Sequence, residues 1–345
     1  MMHAPTVSVI ICAYTEARWH DLVEAVASLR RQHYAPAQMI AVVDHNPALL
    51  DRARAEFPDV TVIENTGPRG LSGARNSGLA AATGDIVAFM DEDAAAEPSW
   101  LKELAAVYAD PNVLGAGGAI VPQWQNGRPG WFPDEFDWVV GCTYRGMPKT
   151  QAPVRNLIGC NMSLRREVFA EVGGFRPGIG RVGTLPVGCE ETELCIRVRQ
   201  RWPDGELVYV PTAIVRHRVP QGRATWAYYR SRCYAEGISK ALVTQFVGAQ
   251  DGLSSERAYT LRTLPTGVLA GLGAALRGKA DGLGRAAAIA GGFALTAIGY
   301  GRGVLARAGN REDGRRGMQA ATLAREAGRR GRLRSERVGA EEVAP

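Results

Sequence analysis

Short apolar runs alternate with amphipathic stretches over the first ninety positions. Val7 to Ala13 is a near-continuous apolar run, followed by the polar loop Tyr14-Thr15-Glu16-Ala17-Arg18. From about Asp21 to His33, Leu22, Val26 and Leu29 recur at helical spacing and predict a helix with one buried face. Met39 to Val43 reads as a second strand ending at Asp44. Ala48 to Phe57 reads as a helix and Val60 to Glu64 as a third strand. Gly70 to Thr83 predicts a helix of small residues, and Asp85 to Met90 a fourth strand. Strands apolar throughout and separated by helices predict an α/β fold built on a mostly parallel sheet, buried on both faces. Ligands of such sheets bind beyond the carboxyl ends of the strands. Three of those ends carry Glu16, Asp44 and the cluster Asp91-Glu92-Asp93, which should therefore converge.

That cluster is the strongest chemical signal in the chain. Three carboxylates after a buried strand repel one another and lose hydration unless a cation stands among them. On an extended chain Asp91 and Asp93 point the same way and Glu92 the other. Oxygen ligands of this kind suit Mg²⁺ or Mn²⁺, which commonly bridge to substrate phosphates. A solvated acidic loop is the bland alternative; the surrounding strand ends favour the metal.

The 345 residues allow one large domain with appendages, or two domains. Hydrophobic residues make up 46% and charged ones 22%, which excludes global disorder. The net charge of +6 is concentrated late, with nine arginines against six acids in 309–345. A basic tail of this kind fits acidic lipid better than a nucleic-acid groove, and no nucleic-acid partner is expected. The six cysteines, Cys12, Cys142, Cys160, Cys189, Cys195 and Cys233, form no Cys-X-X-Cys pair and read as reduced, buried thiols of a cytoplasmic protein. The run VSVIICAY lacks a preceding basic region and reads as a strand, not a signal peptide.

Further along, 117–159 is rich in Trp, Pro and Gly, and Glu135-Phe136-Asp137-Trp138 alternates acids with aromatics. Such groups could grip a sugar ring or a greasy acceptor, or form a satellite core under a long loop. Glu190-Glu191-Thr192-Glu193 opens another helix, where acids are favoured by the helix dipole, and Glu193 can pair with Arg197 four residues on. Strands at 207–210 and 213–215 lead to Arg216-His217-Arg218. The stretch 264–308 is apolar and rich in Gly and Ala. Its longest uncharged run, Ala286 to Gly301, is 16 residues, short of the ~20 that span a bilayer. Re-entrant or interfacial helices with arginines at the headgroups are one reading, and a helical hairpin packed on the rest of the chain is the other. The expected division is a catalytic domain at 1–222, a helical, membrane-leaning extension at 223–308 and a basic, disordered tail at 309–345.

Five stretches in order, ICAYTEAR, VVDHNP, GLSGARNSGLAAATGDIVAFMDED, NMSLRREVFAEVGGF and GCEETELCIR, resemble the family 2 glycosyltransferases over about residues 5–220. The resemblance implies the GT-A nucleotide-sugar-binding fold and transfer of a sugar, with inversion, from a nucleoside diphosphate, usually UDP. It places Tyr14 and Glu16 in the nucleotide loop, Asp44 at the base, Arg75 near the nucleotide or its phosphates, and Asn161 against the donor sugar. His45 stands where the family commonly has a second acid, so the base is less firmly specified. Asp91 would contact ribose or metal, Asp93 would ligate the metal, and His217 would complete that site, although a lone histidine is more often a core or surface residue. Glu191 matches the acid that deprotonates the acceptor, with Glu190 as second choice. Among family members the chain looks like those acting on polyprenyl-linked sugars, so the expected acceptor is lipid-linked or a saccharide, met at the cytoplasmic face of the membrane. A nucleotidyltransferase would want a Gly-rich basic loop after the first strand, and Tyr14-Thr15-Glu16 is not one. A catalytically inactive sugar- or lipid-binding scaffold would be expected to lack Asp93 or the Glu190-Glu191 pair, and both are present.

Overall fold

A computed structural model of the chain describes residues 4–177, 188–248 and 258–306. Among the described residues nine strands form one sheet. Strands β1 (Val7–Ala13), β2 (Gln38–Val43), β3 (Thr61–Glu64) and β4 (Ile86–Asp91) lie parallel in the order β3-β2-β1-β4. Helices α1 (Trp19–Arg30), α2 (Pro47–Glu56) and α3 (Leu71–Ala81) connect them. Residues of β1 alternate between two cores: Val9 and Ile11 pack with Leu22 and Trp100, Ile10 and Cys12 with Ala74, Phe89 and Leu194. A strand buried on both faces has no polar side to present, which is why its sequence is apolar throughout. Helix α3 is built of small residues because it lies directly on the sheet. A Cβ at Gly78 would stand 2.6 Å from Ile10 Cγ2.

The second half of the sheet departs from the parallel pattern. Between Asp93 and Gly117 lie elements that the apolar pattern did not predict: β5 (Ala94–Ala96), α4 (Trp100–Val107) and the start of β6 (Val113–Trp124). Then follow β7 (Ala152–Pro153), β8 (Asn161–Arg165), α5 (Arg166–Val172), α6 (Glu190–Arg201) and β9 (Glu206–Val219). Strand β8 runs antiparallel to both neighbours, β4 and β6, while β6 and β9 are parallel. Strands β5 and β7 add antiparallel edges to β9. The sheet is thus mixed, in the order β3-β2-β1-β4-β8-β6-β9-β5, with β7 on β9.

One long strand, β9, replaces the two short strands expected around Pro211. Its pairing with β6 jumps from Gly118↔Val210 to Ile120↔Val215, so Pro211, which has no N–H to donate, falls in the irregularity. Gly118 is required there, because a Cβ would stand 1.7 Å from the Ala213 carbonyl oxygen.

The aromatic segment of 117–159 is largely packed into the main core and is not a satellite of it, and Phe136 and Trp138 also line a cavity. Phe132 and Phe136 are buried and meet Tyr229, and Trp131 stacks on Trp226 at 4.0 Å. Both partners belong to α7 (Trp226–Val247), so these aromatics seat the C-terminal helices. A π-helical turn, Tyr259–Thr263, runs into α8 (Leu264–Leu276), and α9 (Asp281–Ala306) follows. Helices α8 and α9 pack on the rest of the chain, and their contacts are close enough to need glycine. A Cβ at Gly237 of α7 would lie 2.0 Å from the Thr296 carbonyl oxygen, and one at Gly299 of α9 2.1 Å from that of Tyr234. Helix α9 is longer than the 16-residue uncharged run, because it continues through Arg285 and Arg302. It has 26 residues, and its most apolar window of 18 has a mean hydropathy of 1.3, long and apolar enough to cross a membrane, with a third of that window buried against the protein. The expected disordered tail, 309–345, lies outside the described residues.

Candidate active site

A cavity of about 750 Å³ opens beyond the carboxyl ends of β1, β2 and β4. Its wall includes Tyr14, Asp44, Arg75, Asp91, Asp93, Glu190, Glu191 and His217, so eight of the ten residues singled out from sequence converge on one space.

The other two do not line it. Glu16 points to the surface, half exposed, with Arg52 at 4.0 Å. Asn161, expected to face the donor sugar, is wholly buried beneath the cavity. Its Oδ1 accepts from Trp100 Nε1 at 2.8 Å, and its Nδ2 donates to the carbonyls of Ala119 and Ala213 at 3.0 and 2.9 Å. With the amide so occupied, Asn161 ties β8 to α4, β6 and β9 instead of meeting a ligand.

Asp44 is fixed at the end of β2. Its Oδ1 accepts from Asn65 Nδ2 at 2.6 Å and lies 2.8 Å from His45 Nδ1, and its Oδ2 accepts from the Gly70 N–H at 2.9 Å. Gly70, with a φ of 119°, caps α3, which allows the backbone N–H to turn inward. Tyr14 stands at the mouth with the Arg18 guanidinium 5.5 Å above its ring.

The acidic cluster departs from simple alternation. Strand β4 ends at Asp91 and a turn follows, so Glu92 does not point away. Arg18 Nη1 meets Glu92 Oε1 at 2.7 Å and Asp93 Oδ2 at 3.1 Å. Asp93 also receives His217 Nε2 at 3.1 Å and Arg223 Nη2 at 3.4 Å. Burial opposes the Asp93 charge, but His217, Arg223 and Arg18 outweigh it and hold the carboxyl far below its usual range. Glu92 has less compensation: burial, with Asp93 adding, pushes it up to about 7. Sequence reading missed Arg18 and Arg223. Both stand within quoted or flanking stretches, but ion pairs across 74 and 130 positions leave no local signal.

Arg75 is 3% exposed, so its guanidinium is buried and is not a solvated charge on the helix surface. It bonds Glu190 Oε1 at 2.9 Å and Asp91 Oδ1 at 3.3 Å, with Phe175 beneath its guanidinium at 5.2 Å. Gly159 leaves room for it, since a Cβ there would stand 2.7 Å from Arg75 Nη2. Among the described residues the second oxygen of Glu190, Oε2, is buried without a hydrogen-bond partner. The neighbouring Glu191 is pushed up to about 8 by burial, with the Glu190 charge adding. Glu193 turns inward and is held by Arg197 at 2.8 Å and Arg176 at 2.9 Å, so its role is structural.

Asp91, Asp93 and His217 line the same cavity and carry oxygen and nitrogen donors of the kind Mg²⁺ or Mn²⁺ takes, with the Asp93 carboxylate met by Arg18, His217 and Arg223. The ligand atoms of Asp91, Cys160 and His217 lie within 4.8 Å of one another.

The C-terminal helices line the same cavity. Tyr228, Arg232, Glu236 and Lys240 of α7 line it with Phe293, Ala297 and Tyr300 of α9, and Phe136, Trp138 and Val139 continue the apolar wall. Phe293 is also 47% exposed on the outer surface. Leu269 and Leu276 of α8 and Leu283, Ile298 and Leu305 of α9 are exposed as well.

Comparison with known proteins gives this cavity a context. The sequence profile described as "Glycosyl transferase family 2" matches residues 8–173. The chain is 36% identical to the glucosyl-dolichyl phosphate glucuronosyltransferase of Haloferax volcanii over 241 residues, 69% of this chain and 77% of that one. It is 24% identical to the succinoglycan biosynthesis protein ExoM of Rhizobium meliloti over 233 residues, 66% of this chain and 71% of the relative. Among solved structures, the mannosyltransferase PcManGT of Pyrobaculum calidifontis, in complex with GDP-Man and Mn²⁺, superposes with a TM-score of 0.55 at 18% identity. That superposition covers 87% of this chain and 88% of the other, and with it the mixed sheet and flanking helices are the GT-A fold. By its profile match and its likeness to the Haloferax enzyme, the chain belongs to glycosyltransferase family 2.

Proposed function

We propose that the chain transfers a sugar from a nucleoside diphosphate donor, a UDP-sugar, to a polyprenyl-linked acceptor at the membrane surface, inverting the anomeric centre. The observation that carries this reading is the lining of the cavity: one space is walled both by carboxylates and an arginine at the strand ends and by aromatic and apolar side chains of the C-terminal helices. The first lining suits a nucleotide diphosphate and a cation, the second a greasy acceptor.

The donor lies between Tyr14, Asp44 and Arg75. Asp91, Asp93 and His217 are the residues that would hold Mg²⁺ or Mn²⁺. That ion, when bound, supplies positive charge to the leaving diphosphate. Arg75 positions Asp91 and Glu190 against each other. Glu191, with a pKa brought close to operating pH, accepts the proton of the attacking hydroxyl. Attack from the face opposite the nucleotide inverts the anomeric carbon and requires no covalent sugar–enzyme intermediate. The unpartnered Oε2 of Glu190 favours a second reading, in which Glu190 takes the proton.

Arg232 and Lys240, the latter paired with Glu236 at 3.5 Å, leave this wall with a net positive charge, where a lipid phosphate would lie. The exposed leucines of α8 and α9 are flanked by Arg277, Lys279 and Arg285, an apolar face with a basic rim that fits an anionic bilayer surface. The likeness to the Haloferax enzyme supports the same acceptor class.

The test is nucleotide release by the full-length protein across a panel of UDP- and GDP-sugars, each with a glycosylated polyprenyl phosphate or a free saccharide. The reading expects release from a UDP-sugar that requires the lipid acceptor, and a product anomer opposite to the donor's by NMR. Retention of configuration, or release from GDP-sugars alone, contradicts it.

A further inference from the structure

The cation end of the cavity carries two thiols for which the proposed sugar transfer has no use. Cys160 stands just before β8, and its sulfur lies with an Asp91 oxygen and a His217 ring nitrogen, all within 4.8 Å of one another. Cys142 Sγ is 3.8 Å from His217 Nδ1. Both cysteines are free, buried and part of the cavity wall. Asp91 comes from the end of β4, Cys160 from the turn into β8 and His217 from β9, so the tertiary fold assembles the group.

Hard cations such as Mg²⁺ take oxygen and have little use for sulfur. Zn²⁺ accepts Cys, His and carboxylate together, and three protein ligands with one open position is a common arrangement for it. Asp91, Cys160 and His217 supply that set, one donor each.

We infer that Asp91, Cys160 and His217 bind a thiophilic divalent cation of the Zn²⁺ class, in competition with the hard cation of catalysis, and that this occupancy stops sugar transfer. On binding, the Cys160 sulfur bonds the metal and its proton passes to solvent; nothing is oxidised. The bound ion takes two donors, Asp91 and His217, away from the hard cation. The competition rests on the preceding assignment of those two residues to that cation, whereas thiol coordination rests on the cluster alone.

The test uses Co²⁺ as a spectroscopic substitute for Zn²⁺ on the full-length protein, beside Zn²⁺ and Mn²⁺ affinities from competition with a chromophoric chelator. The expected result is a near-ultraviolet sulfur-to-cobalt charge-transfer band, absent from Cys160→Ser. Zn²⁺ affinity falls in that variant by at least the ~10–100-fold that losing a mere outer-shell partner costs. Mn²⁺ affinity stays within experimental error. Wild-type protein that binds Mn²⁺ but shows no cobalt–sulfur band overturns the inference without any variant having to fold. A band that survives in Cys160→Ser and vanishes in Cys142→Ser overturns the choice of thiol. A band in protein that binds no Mn²⁺ upholds thiol coordination and instead contradicts the hard-cation assignment.

Discussion

Arg75 Nη1 donates to Glu190 Oε1 at 2.9 Å across 115 positions of sequence, and both side chains are buried. The same guanidinium reaches Asp91 Oδ1 at 3.3 Å, so one cation joins the acid that ends β4 to the acid that opens α6. Removing it leaves the Glu190 carboxylate as a buried charge without its compensating cation. Arg75→Ala should therefore lower unfolding free energy by the ~3–5 kcal/mol typical of breaking a buried pair. Denaturant unfolding reads this directly. Arg75→Lys should recover only part, since an ammonium cannot match the planar fork. A wild-type midpoint in Arg75→Ala would show that the pair holds nothing together.

The general base is tested by a pair of variants. Glu191→Gln keeps shape and hydrogen bonding but removes the basic oxygen. With a hydroxyl acceptor, kcat should fall by ~10²–10⁴-fold while donor affinity survives. If Glu190→Gln is the inactive variant and Glu191→Gln turns over normally, the proton goes to the unpartnered Oε2 of Glu190.

Burial pushes Glu191 up to about 8, and a base works only when deprotonated. Turnover with a hydroxyl acceptor should therefore rise with pH through about 8 and level off above it. Glu191→Gln should abolish that limb. A rate already level from pH 6 upward would exclude a base so raised. A phosphate acceptor is ionised already and should show no such limb.

The outer apolar face predicts lipid affinity. Leu276 is 90% exposed and Leu269 69%, which water alone does not favour. Full-length protein should float with anionic liposomes, more weakly with neutral ones, and Leu269→Glu combined with Leu276→Glu should reduce flotation while leaving unfolding unchanged. Equal recovery of both proteins in the unbound fraction would leave the face as solvent-exposed surface.

What could be read in the sequence follows physical lines. β1 to β4 were legible because a strand buried on both faces must be apolar throughout. The convergence of Asp44, Asp91 and Asp93 followed from where such strands end. Strand β6 was hidden because close approach demands Gly115, Gly117 and Gly118, and glycine ordinarily argues against a strand. The placing of Asn161 against the sugar rested on the resemblance alone, and its three protein partners come from α4, β6 and the middle of β9, none of them near it in sequence. An extended chain would point Glu92 away from Asp91 and Asp93, whereas β4 ends at Asp91 in a turn that keeps it with them. The joining of catalytic floor to helical wall depends on aromatic stacking such as Trp131 on Trp226, which no periodicity announces.

The central claim is that a nucleotide is held at the carboxylate end through a divalent cation. Isothermal titration of UDP into the full-length protein, with Mn²⁺ and then with EDTA, tests it most directly, alongside Asp93→Asn. Asparagine keeps the size of a side chain that now meets Arg18, His217 and Arg223, but not its charge. The account predicts UDP binding in Mn²⁺, its loss in EDTA, and its loss in Asp93→Asn even with Mn²⁺ present. UDP binding of equal strength in all three would contradict it.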